Sequence, residues 1–527
     1  MIFGKKKEKS IGIHQSQKEE YFDFDRIESF YRWKYNAPSF QNINDHTWAD
    51  LDMNEVFMYL DRTHSRLGQQ YLYYLLRSIS SSDRIEKIEQ TISKLNQEKE
   101  NTSKLIDSLR KLNTRGSYFL ISLFSKETLK KPRWFLLVYF LFFVTISAIL
   151  SSFFYPQIIL VLLCCLVTNF VIHYWNKAKL LEHSNAISQL YHFDKACSQL
   201  SYFDSGSGKG KSFLSAQRAL KRLTRKSSLL RDNSSSQNEL SILADSIVEI
   251  LKASFLIEPI MLYHITQEIE KRKNEIELLF ESIGFIDACI SIEALRITSD
   301  HTIPKTTGER ILKATQCFHP LIDNPVANSI DITFDKCILI SGSNMSGKTT
   351  FIRTLGVNAL LGQTINTVFA AEWTFPKAKI FSAIRISDNL LNDESFYQKE
   401  VKVIQEMIEE STSKEMNLFL IDELYKGTNS IERIGAGVAV LSYLHSKNNI
   451  VCASTHDLEL ADFLTEFYTN YHFTEQVNNA SIKFDYKLNE GKLQNTNAIR
   501  ILETNGYPKE VTDQARRIVT TLSKKNE

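Results

Sequence analysis

The run Gly342-Ser343-Asn344-Met345-Ser346-Gly347-Lys348-Thr349-Thr350 has the spacing G-x-x-x-x-G-K-T. Glycines at those intervals let successive backbone N–H groups converge on phosphate oxygens. The run follows the apolar stretch Lys336–Ile340 and precedes a segment of helical periodicity, so the spacing predicts strand, loop and helix in that order. The helix N-terminus then adds a dipole that favours an anion. In this setting Lys348 neutralises the β- and γ-phosphates of ATP, and the Thr349 hydroxyl ligates Mg²⁺. A second apolar strand, Asn417–Glu423, ends in two carboxylates. Asp422 is placed to hold the magnesium through water, and Glu423 to orient or deprotonate the attacking water. A third, Ile450–Ala453, runs into Ser454-Thr455-His456, where His456 can contact the γ-phosphate or the lytic water. One Glu or His at a strand end is as often structural as catalytic. Three such strands in this order point to a bound nucleotide.

These strands need a scaffold, and the chain is long enough to supply one. Its 527 residues, 43% of them apolar, suffice for roughly three domains at about 150 residues each. Lys plus Arg number 63 against 61 for Asp plus Glu, which excludes a bulk positive field for indiscriminate nucleic-acid binding. Few glycines (18) and prolines (9) beside 33 phenylalanines favour long helices over a β-sandwich. The seven cysteines show no Cys-x-x-Cys spacing and an odd count, which fits a reducing compartment. Lys5, Lys6 and Lys7 are followed by polar and charged residues rather than an apolar stretch, so no cleaved signal peptide is expected.

From Trp134 to Trp175 there is no Asp, Glu, Lys or Arg, and the run is dominated by Phe, Leu, Ile and Val. At ~1.5 Å per helical residue this is about twice what a ~30 Å hydrocarbon core requires. Ser151-Ser152 and Pro156-Gln157 are the turn signals, so two spans are expected near 134–154 and 157–175. Lys126, Lys130, Lys131 and Arg133 before the run, with Lys177 and Lys179 after it, place both flanking regions in the cytoplasm. Trp134, Tyr155, Tyr174 and Trp175 sit where interfacial aromatic anchors belong. The competing readings are a helical hairpin buried in a soluble core and a shallow hairpin that does not cross fully.

The flanks are read as helical. Residues 54–77 place Val56, Phe57, Leu60, Leu67, Tyr71, Tyr74 and Leu75 near one face, and residues 177–297 continue the pattern, broken by polar runs at 205–212 and 231–236 that read as loops. Gly210-Lys211-Ser212 imitates the end of a phosphate loop, but Ser205 stands where its first glycine is needed and no buried strand precedes it.

The stretches Gly342–Thr350, Leu420-Ile-Asp-Glu-Leu-Tyr-Lys-Gly-Thr-Asn-Ser430 and Ala453-Ser-Thr-His456 together resemble the ATPase domain of the MutS mismatch-repair family, a branch of the ABC-type ATPases. The likeness runs from about His319-Pro320 to Arg517 and includes Gly506-Tyr507-Pro508-Lys509-Glu510-Val511, which resembles the family's C-terminal helix-turn-helix. Leu60-Asp61-Arg62-Thr63 and Leu67-Gly68 look like the opening of the family's core domain. The resemblance implies a homodimer in which each ATPase domain completes the other's site, with Ser395 falling where the signature serine touches the partner's γ-phosphate. It also puts Val326-Ala327-Asn328 in the adenine-contacting segment, with Pro325 where an aromatic is usual, and Tyr486 at the position of a base-stacking histidine. Asp393-Glu394 departs from the usual Gly-Arg before the signature serine, and the mismatch-reading domain has no counterpart. Lys209, Lys211, Arg218, Lys221, Arg222, Arg225 and Lys226 form a basic stretch read as a solvated helix face, for which anionic lipid and DNA compete.

The expected architecture is therefore a cytoplasmic helical region over 1–133, a transmembrane hairpin over 134–175, a helical core or lever over 176–310, and an α/β P-loop ATPase domain of ABC type over 311–527. The expected activity is that of a membrane-anchored ATPase that closes and reopens a dimer interface and is coupled, by resemblance, to mismatched or branched DNA. The alternative is a membrane scaffold ATPase acting on protein or lipid without DNA. A transporter fits less well, since four spans per dimer leave little room for a pathway and no intramembrane charge marks one.

Overall fold

Nothing between Phe135 and Lys179 interrupts helical hydrogen bonding except Pro156, and there the chain turns. In the computed structural model, helix α1 (Phe135–Ser152) is followed by a 3-10 turn (Pro156–Ile158) and helix α2 (Ile159–Lys179). The structure describes residues 18, 21–81, 83–125, 135–179, 181–200, 203, 210–227, 239–332, 335–343, 346–385, 396–447, 449–478, 481–493 and 498–526. Trp134 and the basic residues before it lie outside these. Both helices are long and apolar enough to cross a membrane, with mean hydropathies of 2.3 and 2.2, and only 22% and 11% of the two spans are buried.

By its internal contacts the chain divides into two units that are not consecutive in sequence. One comprises Met1–Ala37, Asp61–Tyr74 and Glu86–Ile297, the other Pro38–Leu60, Leu75–Ile85 and Thr298–Glu527.

In the first unit the base of the hairpin packs on helices α3 (Glu239–Ser254) and α4 (Ile257–Glu270), which are joined through Leu256 in the left-handed region. Phe135 meets Tyr263 at 4.5 Å between ring centres. Asn169, fully buried, donates from Nδ2 to Thr145 Oγ1 at 3.0 Å and to the Ser254 carbonyl at 2.7 Å, tying α1, α2 and α3 at one level. The segment around 205–212 read as a loop is helical from Gly210, which opens the helix Gly210–Lys226. This helix buries Phe213, Ala216, Leu220 and Leu223 and exposes Arg218, Lys221, Arg222, Arg225 and Lys226, while Lys209 lies outside the described residues.

Residues 54–77, read as one helical face, are two helices, Met53–Leu60 and Arg66–Arg77. The break has a local cause: the Asp61 carboxylate accepts from the Thr63 backbone N–H at 2.9 Å, offering the backbone an alternative to the helix ladder. Next to it, the buried Asp287 carboxylate accepts from the backbone N–H of His64 (2.9 Å) and of Ser65 (2.8 Å) and from Ser65 Oγ (2.6 Å). These satisfy donors that the start of the second helix leaves unpaired. Gly68 is required beside them, since a β-carbon there would lie 2.1 Å from Asp287 Oδ2.

The second unit is built on a six-stranded sheet. Its strands are β1 (Cys337–Ser341), β2 (Lys379–Ala383), β3 (Asn417–Asp422), β4 (Ile450–Thr455), β5 (Tyr468–Asn478) and β6 (Ser481–Glu490). They lie in the order β6-β5-β1-β4-β3-β2, all parallel except the β5–β6 hairpin. β1, β3 and β4 are buried at every position, as expected of continuous apolar runs covered on both faces. Helix α5 (Lys348–Ile365) follows β1 and crosses the sheet, with Gly356 allowing Leu420 and Leu51 to approach. A second, four-stranded sheet contains Lys305–Thr307, Leu312–Cys317, Asn328–Ile332 and Glu372–Pro376.

Residues 38–60 belong to this unit, and side chains explain why. Gln41 donates to the Ile380 carbonyl and accepts from its N–H, both at 2.8 Å, continuing the sheet edge as a further strand would. Asp50, 1% exposed, accepts from Ser382 Oγ (2.6 Å) and from the backbone N–H of Ile384 and Arg385 (2.9 Å each). At the other end of the chain, the helices Ala498–Thr504 and Lys509–Asn526 are separated by Gly506 at φ 78° and by Pro508.

Candidate ATP site

Parallel order places the carboxyl ends of β1, β4 and β3 side by side, where the phosphate loop, His456 and the acidic pair emerge. The loop needs its glycines. Gly342 is at φ 151°, where a β-carbon would lie 2.8 Å from Ser346 Oγ, and Gly347 at φ 111° is the left-handed residue that opens α5. Lys348, 4% exposed, bends its ammonium back onto the carbonyls of Gly342 (2.8 Å) and Ser343 (3.0 Å), and its Nζ lies 3.4 Å from His456 Nε2. Burial pulls the Lys348 pKa below its ordinary 10.5, against the opposing pull of Glu423 and Asp422. Ser346 Oγ is buried without a hydrogen-bond partner, a donor waiting inside the cradle. Thr350 is exposed on the first turn of α5, while Asn344 and Met345 lie outside the described residues.

The pair expected to hold a metal is adjacent to this cradle. Thr349 Oγ1 donates to Asp422 Oδ2 at 2.7 Å, and Ser454 Oγ to Asp422 Oδ1, so two hydroxyls and one carboxylate share a small oxygen-lined space. That donor set suits a hard divalent cation. Glu423 follows β3 at φ 60°, a left-handed conformation uncommon for a non-glycine residue, which turns its carboxylate toward His456. Burial by itself would raise its pKa, but the hydrogen bond and charge of His456, with Lys426 Nζ at 3.3 Å, outweigh it and hold the carboxyl at about 2. Glu423 is thus ionised, half-enclosed and already partnered.

A cavity of about 520 Å³ opens from the loop. Val326, Asn328, Gly347, Lys348, Thr349, Thr350, Phe473 and Tyr486 all contribute to its wall. Tyr486, 46% exposed and at φ 54°, lies so near Gly347 that a β-carbon there would sit 3.4 Å from its ring. The structure therefore brings Val326, Tyr486 and the phosphate loop to one space. Ser395 lies outside the described residues, as do Asp393 and Glu394.

Three further side chains contribute to the site. Ser454 grips Asp422, Glu475 accepts a hydrogen bond from Ser343 Oγ, and Asn328 clamps the strand carrying Tyr486, donating to the Tyr486 carbonyl at 3.0 Å and accepting from the Leu488 N–H at 2.8 Å. Ser454 was legible as the residue beside His456 at a strand end. Asn328 lay in the adenine-contacting segment that the resemblance marks, whereas Glu475 had no signal, because its place depends on which strands pair.

A parallel sheet with a glycine-lined loop between β1 and α5, and an acidic pair ending a strand two places away, defines a P-loop ATPase domain. Residues 338–523 match the family described as MutS domain V. Over these residues the chain is similar to the ATPase domain of the MutS family. It is 30% identical over 296 residues to the human protein "MutS protein homolog 4", covering 53% of this chain and 31% of that protein. It is 26% identical over 265 residues to "DNA mismatch repair protein MutS" of Thermus thermophilus, covering 49% and 32% respectively. The protein of the same name from Clostridium botulinum is 24% identical over 319 residues, covering 58% and 34%. The chain spans about a third of the length of the curated relatives it matches.

Proposed function

We propose that the chain is a membrane-anchored ATPase that binds and hydrolyses ATP at a dimer interface and couples that cycle to DNA. The observation that carries the nucleotide chemistry is the convergence of Lys348, the Thr349–Asp422 pair and the Glu423–His456 pair around one cradle. On ATP entry the Lys348 ammonium exchanges the Gly342 and Ser343 carbonyls for β- and γ-phosphate oxygens, and Ser346 Oγ gains the acceptor it lacks. Thr349 and Asp422 would hold Mg²⁺, which supplies positive charge against the phosphate oxygens when bound. Val326 and Tyr486 flank the space where the base would lie, with Tyr486 offering its ring as a stacking face.

Glu423 accepts a hydrogen bond from the attacking water and orients it toward the γ-phosphorus. The water oxygen bonds to phosphorus, the bond to the bridging oxygen breaks, and ADP and phosphate leave. A carboxylate held at about 2 is a weak proton acceptor, so release of His456 toward the γ-phosphate raises the basicity of Glu423 when the water must lose its proton. Hydrolysis is thereby tied to nucleotide occupancy. In the dimer that the family resemblance implies, Ser395 of each chain contacts the other chain's γ-phosphate.

DNA coupling is supported by the bacterial relatives, which are DNA mismatch repair proteins by name. Membrane attachment is supported by α1 and α2, whose exposed Leu136, Phe140, Phe143, Leu160, Val167 and Val171 would otherwise face water at about 1.5–3 kcal/mol for each fully exposed side chain. Both flanking regions then lie in the cytoplasm. The exposed apolar hairpin also favours a second reading, a membrane scaffold ATPase without DNA. ATPase turnover of the protein in lipid nanodiscs, with and without duplex, mismatched and branched DNA at low salt, separates the two. Stimulation supports the first reading. Absence of both stimulation and binding removes it in favour of the second.

A further inference from the structure

His173, on the last turns of α2, is 1% exposed and has no hydrogen-bond partner at either ring nitrogen. A buried imidazole left this way loses its water without compensation, so the site calls for a partner. Its Nε2 points between two carboxylates from different helices, Glu249 Oε1 of α3 at 3.6 Å and Glu258 Oε2 of α4 at 3.5 Å. The three donor atoms all lie within 4.8 Å of one another.

The distances decide between two arrangements. A direct charge-assisted hydrogen bond from imidazole to carboxylate is ~2.7–2.9 Å long, and neither contact reaches that. Ligands at ~2.0–2.1 Å from a tetrahedral metal are separated by about 3.4 Å along each edge, which both contacts approach. Ser184 Oγ lies 3.4 Å from Glu258 Oε1, leaving Oε2 as the oxygen that faces the histidine. One helical turn away, Asn169 ties α2 to the end of α3, so two of the three ligand-bearing helices are held in place by bonds that need no metal.

We propose that His173, Glu249 and Glu258 form a binding site for a divalent transition-metal ion of the zinc class. One imidazole with two carboxylates suits Zn²⁺, Mn²⁺ or Fe²⁺ better than Mg²⁺ or Ca²⁺, which take oxygen donors. The ion pins the end of the apolar hairpin to the two helices at its base. The site is separate from Thr349 and Asp422 in residues and in donor chemistry.

The test uses the full chain, untagged, in detergent, with excess Mg²⁺ present to occupy the oxygen-donor site. Zn²⁺ and Co²⁺ are titrated alone as probes. The expected result is one tight equivalent per chain, visible Co²⁺ ligand-field bands, and a rise in the thermal midpoint that a chelator reverses. Glu258→Gln and the milder Glu249→Gln each lower Zn²⁺ affinity by at least ~10-fold while leaving ATPase activity intact, which also reports that they fold. Lys348→Ala leaves the zinc titration unchanged. No stoichiometric Zn²⁺, or binding that neither glutamine variant alters, overturns the proposal.

Discussion

Replacing Glu423 by Gln keeps the shape of the side chain and removes its charge. In the fold that carboxyl sits at about 2 against an ordinary 4.5, a difference worth roughly 3 kcal/mol of net attraction to His456 and Lys426. The side chain is 20% exposed, so little of this is lost to solvent screening. Two consequences follow. Loss of the group that orients and deprotonates water slows hydrolysis by about 10²–10⁴-fold, or ~3–5 kcal/mol in the barrier. Loss of a negative charge near the γ-phosphate relieves repulsion of at most ~3 kcal/mol at ~6 Å and an effective dielectric of ~20, so ATP binds more tightly, by about 10-fold after screening. The variant is therefore expected to hold ATP and turn it over slowly. Single-turnover hydrolysis of γ-labelled ATP, run beside equilibrium dialysis, reads both effects. A single-turnover rate within about fivefold of wild type, with ATP bound, would refute the assignment of Glu423.

Lys348→Ala leaves the phosphates without the buried ammonium, and ATP affinity should fall by at least ~10²-fold in equilibrium dialysis while the thermal midpoint without nucleotide changes little. Asp50→Ala strands the N–H groups of Ile384 and Arg385 and the hydroxyl of Ser382, for a loss of about 2–5 kcal/mol read by urea denaturation. Burial raises the Asp287 pKa from 3.8 to about 6 despite hydrogen bonds from His64 and Ser65. A carboxyl raised in the fold contributes stability that is fully present below its unfolded value and is lost as pH rises through about 6. Wild type should therefore gain about 1–3 kcal/mol over Asp287→Asn between pH 7 and pH 4, and a pH-independent difference in unfolding free energy would contradict this.

Much of the proposed nucleotide site was legible because its signals are local. A glycine-rich loop needs its residues at fixed spacing, and a buried parallel strand is a continuous apolar run, so Gly342–Thr350, Asp422, Glu423 and His456 could be read from short windows. The apolar hairpin was equally local, and its turn fell at Pro156. Periodicity misread residues 54–77 as one face because it counts apolar positions and is blind to Asp61 and Asp287, whose carboxylates capture backbone N–H groups and break the helix.

The amino-acid order by itself determined which segments are strands, which helices are apolar on all sides, and which residues are proposed to carry phosphate chemistry, since each follows from near neighbours in the chain. Only the tertiary structure decided that Gln41 and Asp50 complete the ATPase unit more than 300 residues away, that Asn328 sets the strand bearing Tyr486, and that His173 meets Glu249 and Glu258. Those placements depend on strand order and helix packing. Such contacts arise from the summed burial of many side chains, and no short window of sequence records that sum.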